Sequence, residues 1–452
     1  MHTEVRREAG AVVTEETVSL TFLRLGEPLA LEMASLFRET EAGEPLEART
    51  VQRLGADETV QRLRFDALGV ELATREGGRE RVQRVPRPEG PWLAPGAARR
   101  LVAAEIARGA REIRYRALEP GAGSLVSETA MTLVGREPVE VLGAVVPALA
   151  WDIRSSVLPE VVGRDYTDDQ GRVVRSTLPL LPGVALTVVQ ADRELARGRV
   201  DPPELLARTL VTPKGSLPEP RRLRRAVYRL SGAPLAGVPS GGPQGVQASQ
   251  DGSVRVTVDL DAPGAPGAPP GEEARRPSAL VDSDSPEVVR LAERALAGAK
   301  TRTPTEEAEA LRRFVHGFVT RKDLSVGFAS AGQVARTAQG DCTEHAVLLA
   351  ALLRARGVPS RAASGLLFVD HFLGHYGVFG YHMWTQAWLD RGGGARWVDL
   401  DATLDAAPDD RSFDAAHITL STSALGDNDV VNDLLHLVPL LGRLSIEVLE
   451  PR

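Results

Sequence analysis

One cysteine, Cys342, stands in a chain of 452 residues, so no disulfide can form within it and no oxidising compartment is implied. Lysine is almost as scarce. Only Lys214, Lys300 and Lys322 occur, and nearly all positive charge is arginine, a bias that with abundant Ala, Gly and Pro points to GC-rich coding. Basic excess is missing too: the net charge is −7, which gives no reason to expect nucleic acid as a partner. No apolar run is long enough to span a bilayer. The longest, "VEVLGAVVPALAW" at 139–151, is short and punctuated, and the opening "MHTEVRREAG" lacks the apolar core of a secretory signal. The expectation is a soluble chain without an integral membrane segment, cytoplasmic as written, or periplasmic or secreted if a signal has been removed.

What is present is an ordinary apolar share, 43%, and a length that suits two or three domains. From 11 to 195 the pattern is mostly period two. "TVQRLRFDALGVELATREGGRERVQRV" reverses at Glu76-Gly77-Gly78, and "EVVGRDYTDDQGRVVRSTL" at Asp169-Gln170-Gly171. One helix is predicted near 96–110. Residues 196–261 read as a mixed connecting region with strands, in which the basic run "EPRRLRRAVYRL" is taken as a solvated face. "APGAPGAPPGEEARRPS" (262–278) reads as a Pro/Gly-rich linker or exposed loop. Beyond it the period becomes helical. Ser285 and Pro286 suit a helix start, "TPTEEAEALRRFVHGFVTRK" predicts a second helix, and strands follow, an order that suggests an α+β domain from 279 to 452.

In "GDCTEHAVLLAALLRARGVPSR", Asp341 suits an N-cap and places Cys342 in the first turn of a helix that buries Val347, Leu348, Ala351 and Leu352. There the helix dipole and unpaired N–H groups favour the thiolate, the nucleophilic form. A lone cysteine is equally well a small buried hydrophobe, so a base and an orienting group are needed. "YHMWTQAWLD" and "ARWVDLDATL" flank "RGGG", a hairpin signal. Pairing Asp390 with Ala395 sets His382 opposite Thr403, with Asp401 as the diagonal neighbour on the same face, and sets Asp399 opposite Gln386. Register thus favours Asp401 over Asp399 as the carboxylate that holds the imidazole.

These segments resemble the transglutaminase-like superfamily of papain-fold cysteine enzymes over roughly 280–425. Gly-x-Cys opens a helix, "LLRARGVPSR" follows, His-x-Trp lies on a strand and Trp-x-x-x-Asp on the next. Asp401-Ala402-Thr403 stands where Asp-Pro-Thr is common in the family. The resemblance implies a papain-like α+β fold for this part, and the period-two patterning over 11–195 predicts an N-terminal, mostly antiparallel β domain ahead of it. The resemblance also implies Cys342 as nucleophile, His382 as base and Asp401 as orienter. The chemistry implied is acyl transfer through a thioester on amide bonds of a peptide or protein substrate, with hydrolysis the leading reading. A protein-glutamine transamidase, or a catalytically silent scaffold on the same fold, is the alternative. The backbone N–H of Cys342 would be one oxyanion donor, with Gln333 and Gln339 as candidates for the second.

Trp384 and His345 are weighed as residues lining the site, against core packing for the first and a fold-supporting buried histidine for the second. "HFLGH" has metal-compatible spacing at His371 and His375 but reads as a loop over the cleft, and "DSDSPE" reads as a capped helix start instead of a calcium loop. No metal and no cofactor is expected. The N-terminal β domain is open to binding a partner protein or an apolar ligand.

Overall fold

Period-two patterning in the N-terminal part builds two antiparallel sheets. The computed structural model describes the chain apart from residues 9, 25–26, 55–56, 77–78, 120–124, 183, 197, 199–205, 263, 265–266, 322–328, 406–412, 427–436 and 452. One sheet is a meander in sequence order: β1 (His2–Glu8), β2 (Ala11–Arg24), β3 (Glu27–Thr40), β4 (Pro45–Leu54), β5 (Asp57–Asp66), β6 (Gly69–Glu76) and β7 (Arg79–Val85). Helix α1 (Pro95–Ala107) follows where the sequence predicts one, with proline in its first turn. The second sheet comprises β8 (Glu112–Leu118), β9 (Val126–Val141), β10 (Ala144–Ser155), β11 (Gly163–Thr167), β12 (Val173–Leu181) and β13 (Val184–Val189), in the order β13-β12-β11-β10-β9-β8. Its buried Trp151 donates its indole N–H to Thr167 Oγ1 at 3.1 Å. The turn between β11 and β12 closes on Gly171, with the Asp168 carboxylate accepting from the N–H of Gln170 and of Arg172. Gly77 and Gly78 of the other expected turn lie outside the described residues.

Compactness divides the chain into two units. One is Met1–Thr21, Ala30–Arg53 and Glu58–Pro202; the other is Phe22–Leu29, Leu54–Asp57 and Pro203–Arg452. The short helix α2 (Arg193–Ala196) belongs to the first. In the second, residues read as a connecting region supply β14 (Arg225–Ser231), β15 (Gln244–Ala248) and β16 (Val254–Asp259). These join the final strand β21 (Ser445–Pro451) in a sheet ordered β15-β16-β14-β21. The basic run does not form a patch. Arg222, Arg224, Arg225 and Arg229 pair with Glu219, Asp261, Glu450 and Asp251, and Arg221 turns inward onto Asp414 at 3.0 Å.

Four helices precede the next sheet, as the helical periods require: α3 (Pro286–Leu296), α4 (Pro304–Phe318), α5 (Ala331–Thr337) and α6 (Cys342–Ala355). Ser285 caps α3 by accepting from the N–H of Val288, and Thr303 with Glu306 forms a capping box on α4. The strands are β17 (Ser360–Phe372), β18 (His375–Asp390), β19 (Ala395–Leu400) and β20 (His417–Ser423), ordered β19-β18-β17-β20. Two cores flank them. Ala362, Met383, Ala387 and Leu389 meet the helices, while Ala363, Phe368, Phe379 and Trp384 meet the β14–β16/β21 sheet. The unit is therefore three layers: helices, sheet and sheet.

The Pro/Gly-rich stretch, expected to be a linker or an exposed loop, lies within this second unit, and its residues Gly264, Gly267 and Ala268 lie against β19. Ala268 O accepts from Trp397 Nε1–H at 2.9 Å, and a Cβ on Gly267 would stand 3.2 Å from the same indole. Small residues are needed there because the backbone covers a sheet edge. "HFLGH" is likewise no loop over the cleft. Leu373 and Gly374, both at positive φ, make a two-residue hairpin turn, with Phe372 paired to His375 and His371 to Tyr376. The two imidazoles thus point to opposite faces and cannot share an ion.

One glycine fixes the middle of this sheet. Gly365 pairs with His382, and the β17–β20 register shifts between Ser364 and Gly365, bringing Ile418 O to 2.0 Å from where a Cβ would be. Gly365→Ala is expected to cost at least about 2 kcal/mol, because the obstacle is backbone and β20 must shift. Thermal unfolding checks this, and a variant melting with the wild type would contradict it.

Candidate active site

The cysteine is placed by its helix cap. Asp341 Oδ1 accepts from the N–H of Thr343 at 2.8 Å, and the Glu344 carboxyl returns to the N–H of Asp341 at 2.9 Å. Gly340 is required for this closure, since a Cβ there would stand 2.2 Å from Glu344 Cβ. Burial, helped by the Asp341 charge, pushes Glu344 up to about 8. The other Glu344 oxygen accepts from the N–H of Ala329 at 3.2 Å, which ties the cap to the segment ahead of α5. Cys342 itself is partly exposed, as attack on an outside substrate would require.

The hairpin pairs as the sequence predicts: Asp390 faces Ala395 and Gln386 faces Asp399. The ladder ends at Thr385–Leu400, so His382 and Thr403 lie just past the last rung, where Thr403 Oγ1 comes within 3.2 Å of His382 Nε2. His382 Nε2 meets Asp401 Oδ2 at 2.8 Å, and Cys342 is a further hydrogen-bonding partner of the ring. Thr403 orients the carboxylate by donating both its N–H (2.7 Å) and its hydroxyl (2.6 Å) to Asp401 Oδ1. From α4, the buried Arg312 guanidinium donates to the carbonyls of Asp401 and Leu404, and His316 Nδ1 meets Ala402 O at 3.1 Å. The turn that carries the carboxylate is therefore held from behind.

Asp399, the rival carboxylate, does a different job. Its Oδ1 accepts from Trp384 Nε1–H and from Gln386 Nε2, each at 2.7 Å. This fixes the indole, which stacks on the His382 ring with centroids 6.0 Å apart. Trp384 is 1% exposed, so it backs the imidazole and does not line an open cleft. His345 is buried with Nδ1 on Asp341 O at 2.5 Å, which is the fold-supporting position and not a cleft-lining one. Gln333 lies on α5, and Gln339 bridges Arg321 just ahead of the Cys342 cap.

A residue not singled out from sequence joins the group. His417 Nε2 is 3.3 Å from Asp401 Oδ2, the oxygen that His382 already uses, and its Nδ1 faces Asp414. "HITLSTS" reads only as a strand, and nothing local in it marks the first residue as a partner of Asp401. His382, Asp401 and His417 present three ligand atoms within 4.8 Å of one another, a spacing a metal ion could use. The hydrogen bonds among the same three atoms account for that closeness.

Charge follows from these contacts. Burial works to lower the His382 imidazole, but the Asp401 charge and hydrogen bond, together with Cys342, raise it to about 9. Burial likewise works to raise Asp401, and the two imidazoles hold it well below the carboxylate range. At neutral pH this is a protonated imidazole against an ionised carboxylate.

A thiol at a helix N-terminus, an imidazole on one strand and a carboxylate past the end of the next define a papain-like thiol-enzyme geometry. Residues 289–402, about a quarter of the chain, match the transglutaminase-like superfamily, so the second unit contains a transglutaminase-like domain, with Cys342, His382 and Asp401 all inside the matched segment. No curated protein matches the chain. Among solved structures, the chain is similar to a "Putative Cysteine Protease" from Cytophaga hutchinsonii at 15% identity, covering 50% of this chain and 86% of that one with a TM-score of 0.29. It is also similar to a β-barrel-like protein from Brucella abortus at 10% identity, covering 39% and 79%, TM-score 0.30. A "Putative Protease" from Parabacteroides distasonis follows at 14% identity, covering 88% and 71%, TM-score 0.20. Scores this low carry no functional inference. Among the described residues no helix is long and apolar enough to cross a membrane.

Asp401→Asn removes the charge that raises His382 and leaves burial to lower it. The titration of His382, near pH 9 with Asp401 in place, is then expected to fall to about 6.5 or lower. Histidine ¹⁵N spectra over a pH series read this directly, and an unmoved titration would show that Asp401 does not govern the imidazole.

Proposed function

We propose that this chain is a cysteine-dependent acyl-transfer enzyme that acts on amide bonds of a peptide or protein, working as a hydrolase. The observation that carries the reading is the His382 imidazole, held through Nε2 at 2.8 Å by the buried Asp401 and raised by that charge and by the neighbouring Cys342. In the first step the Cys342 thiolate attacks the amide carbonyl and a C–S bond forms. The C–N bond then breaks as His382 gives its proton to the leaving amine. In the second step His382 takes a proton from water, the hydroxide oxygen displaces sulfur, the acid product leaves and the thiolate–imidazolium pair is restored. The developing oxyanion would be met by the N–H of Cys342, one of the first-turn donors the helix does not use itself. Gln333 and Gln339 remain the proposed sources of a second donor.

Transamidation differs only in the second nucleophile, an amine in place of water, and the triad serves either. A scaffold role fits less well, because such a protein has no need of a buried carboxylate aligned on the imidazole beside a partly exposed thiol. The N-terminal sheets are proposed to hold the partner or apolar ligand that selects the substrate.

Incubation with a peptide mixture, with and without a primary amine probe, separates these cases by mass spectrometry. The expected products are new carboxyl termini or deamidated glutamine, lost by at least about a thousandfold in Cys342→Ala. Amine incorporation would assign the transamidase reading instead. A wild type with no Cys342-dependent product and no thioester would overturn the enzyme reading.

A further inference from the structure

His417 lies at the centre of a set of acceptors. Its Nδ1 is 3.1 Å from both Asp414 O and Asp414 Oδ1, and its Nε2 is 3.3 Å from Asp401 Oδ2. A carbonyl and two carboxylates can only accept, so both ring nitrogens must donate, and only the imidazolium has two N–H groups. No solvent reaches the ring: the side chains of His417 and Asp401 are 0% exposed. Phe413 stacks on it at 4.2 Å and Trp384 meets it edge-on at 5.3 Å. The charged and titratable groups around it include Asp399 on β19, whose ionised form the His417 charge favours. Asp401 lies past β19, Asp414 precedes β20, His382 is 6.2 Å away on β18, Arg221 pairs with Asp414 at 3.0 Å, and Tyr228 donates to Ala415 O. Signs then alternate from His382 through Asp401, His417 and Asp414 to Arg221.

We propose that His417 is a positioning residue held as a permanent imidazolium, which grips the far side of the Asp401 carboxylate and limits how strongly Asp401 holds the proton of His382. The proposal rests on the cysteine-enzyme reading above. Without His417, Asp401 Oδ2 would serve His382 alone, and the imidazolium would be too stable to give its proton readily to a leaving amine. With it, the carboxylate is saturated by four donors: His382, His417, and the N–H and hydroxyl of Thr403. The carboxylate orients the base without trapping its proton. Burial alone would lower His417, and Asp414 with Asp401 raise it to about 9.

Two measurements test this. In ¹⁵N-histidine spectra of the whole protein, His417 is expected to show both ring nitrogens protonated and no titration between pH 6 and 8; a neutral, single-tautomer ring would overturn the proposal. In the same spectra His417→Gln is expected to raise the titration of His382 by about one unit, and Cys342-dependent peptide turnover is expected to slow roughly tenfold or more. Slower turnover with an unmoved His382 titration would leave His417 a packing residue only. His382→Ala is the control on the enzyme reading: if it leaves Cys342 alkylation at pH 6 unchanged, that reading falls, whereas loss of reactivity there with an unmoved His382 titration in His417→Gln overturns only the present proposal. Should His417→Gln fail to fold, Asp414→Asn keeps the ring and is expected to bring its titration into the pH 6–8 window; a ring that stays fully protonated there contradicts the mechanism by which Asp414 holds the charge.

Discussion

The hydrogen bond from His382 to Asp401 is the contact on which the rest of this domain depends. It lies in a place from which water is excluded, where an ionised carboxylate is costly unless its oxygens are filled. Thr403, Arg312 and His316 can all be understood as consequences of that cost. They fix the turn and fill the lone pairs, so the carboxylate stays charged and aimed at one ring nitrogen. His417 fills the last position.

The same constraint shapes the sheet. Strand β17 carries Ala363 and Gly365 opposite Trp384 and His382, and these small residues leave the space into which the rings fold. A bulge at Gly365 then sets the register of β20 and with it the place of His417. On the opposite face β18 offers Met383, Ala387 and Leu389 to the helices, which hold the first turn of α6 and Cys342 against the sheet. Apolar packing and polar chemistry are thus divided between alternate residues of a single strand.

Much of this was legible in the sequence, and for physical reasons. Helix caps at Ser285, Thr303 and Asp341 are local, and the "RGGG" turn fixes a register that separates Asp401 from Asp399 without any tertiary information. What stayed hidden was non-local. His417 and Asp414 are ordinary in their own neighbourhoods and acquire meaning only when β20 pairs with β17 across 49 intervening residues or more. Residues 262–278 have linker composition, yet Gly267 and Ala268 within them cover a strand edge, because glycine permits close backbone approach as readily as it permits freedom. "HFLGH" reads as a loop until its Leu-Gly pair is seen to take two positive φ angles.

The central claim is that Cys342 and His382 act as a pair, and alkylation of the single thiol measures it most directly because no other cysteine contributes. Iodoacetamide labelling of the wild type at pH 6 is expected to be fast, and to slow by at least about tenfold in His382→Ala, where no imidazolium remains to support the thiolate. Equal rates in the two proteins would contradict the pairing and leave the domain without its base.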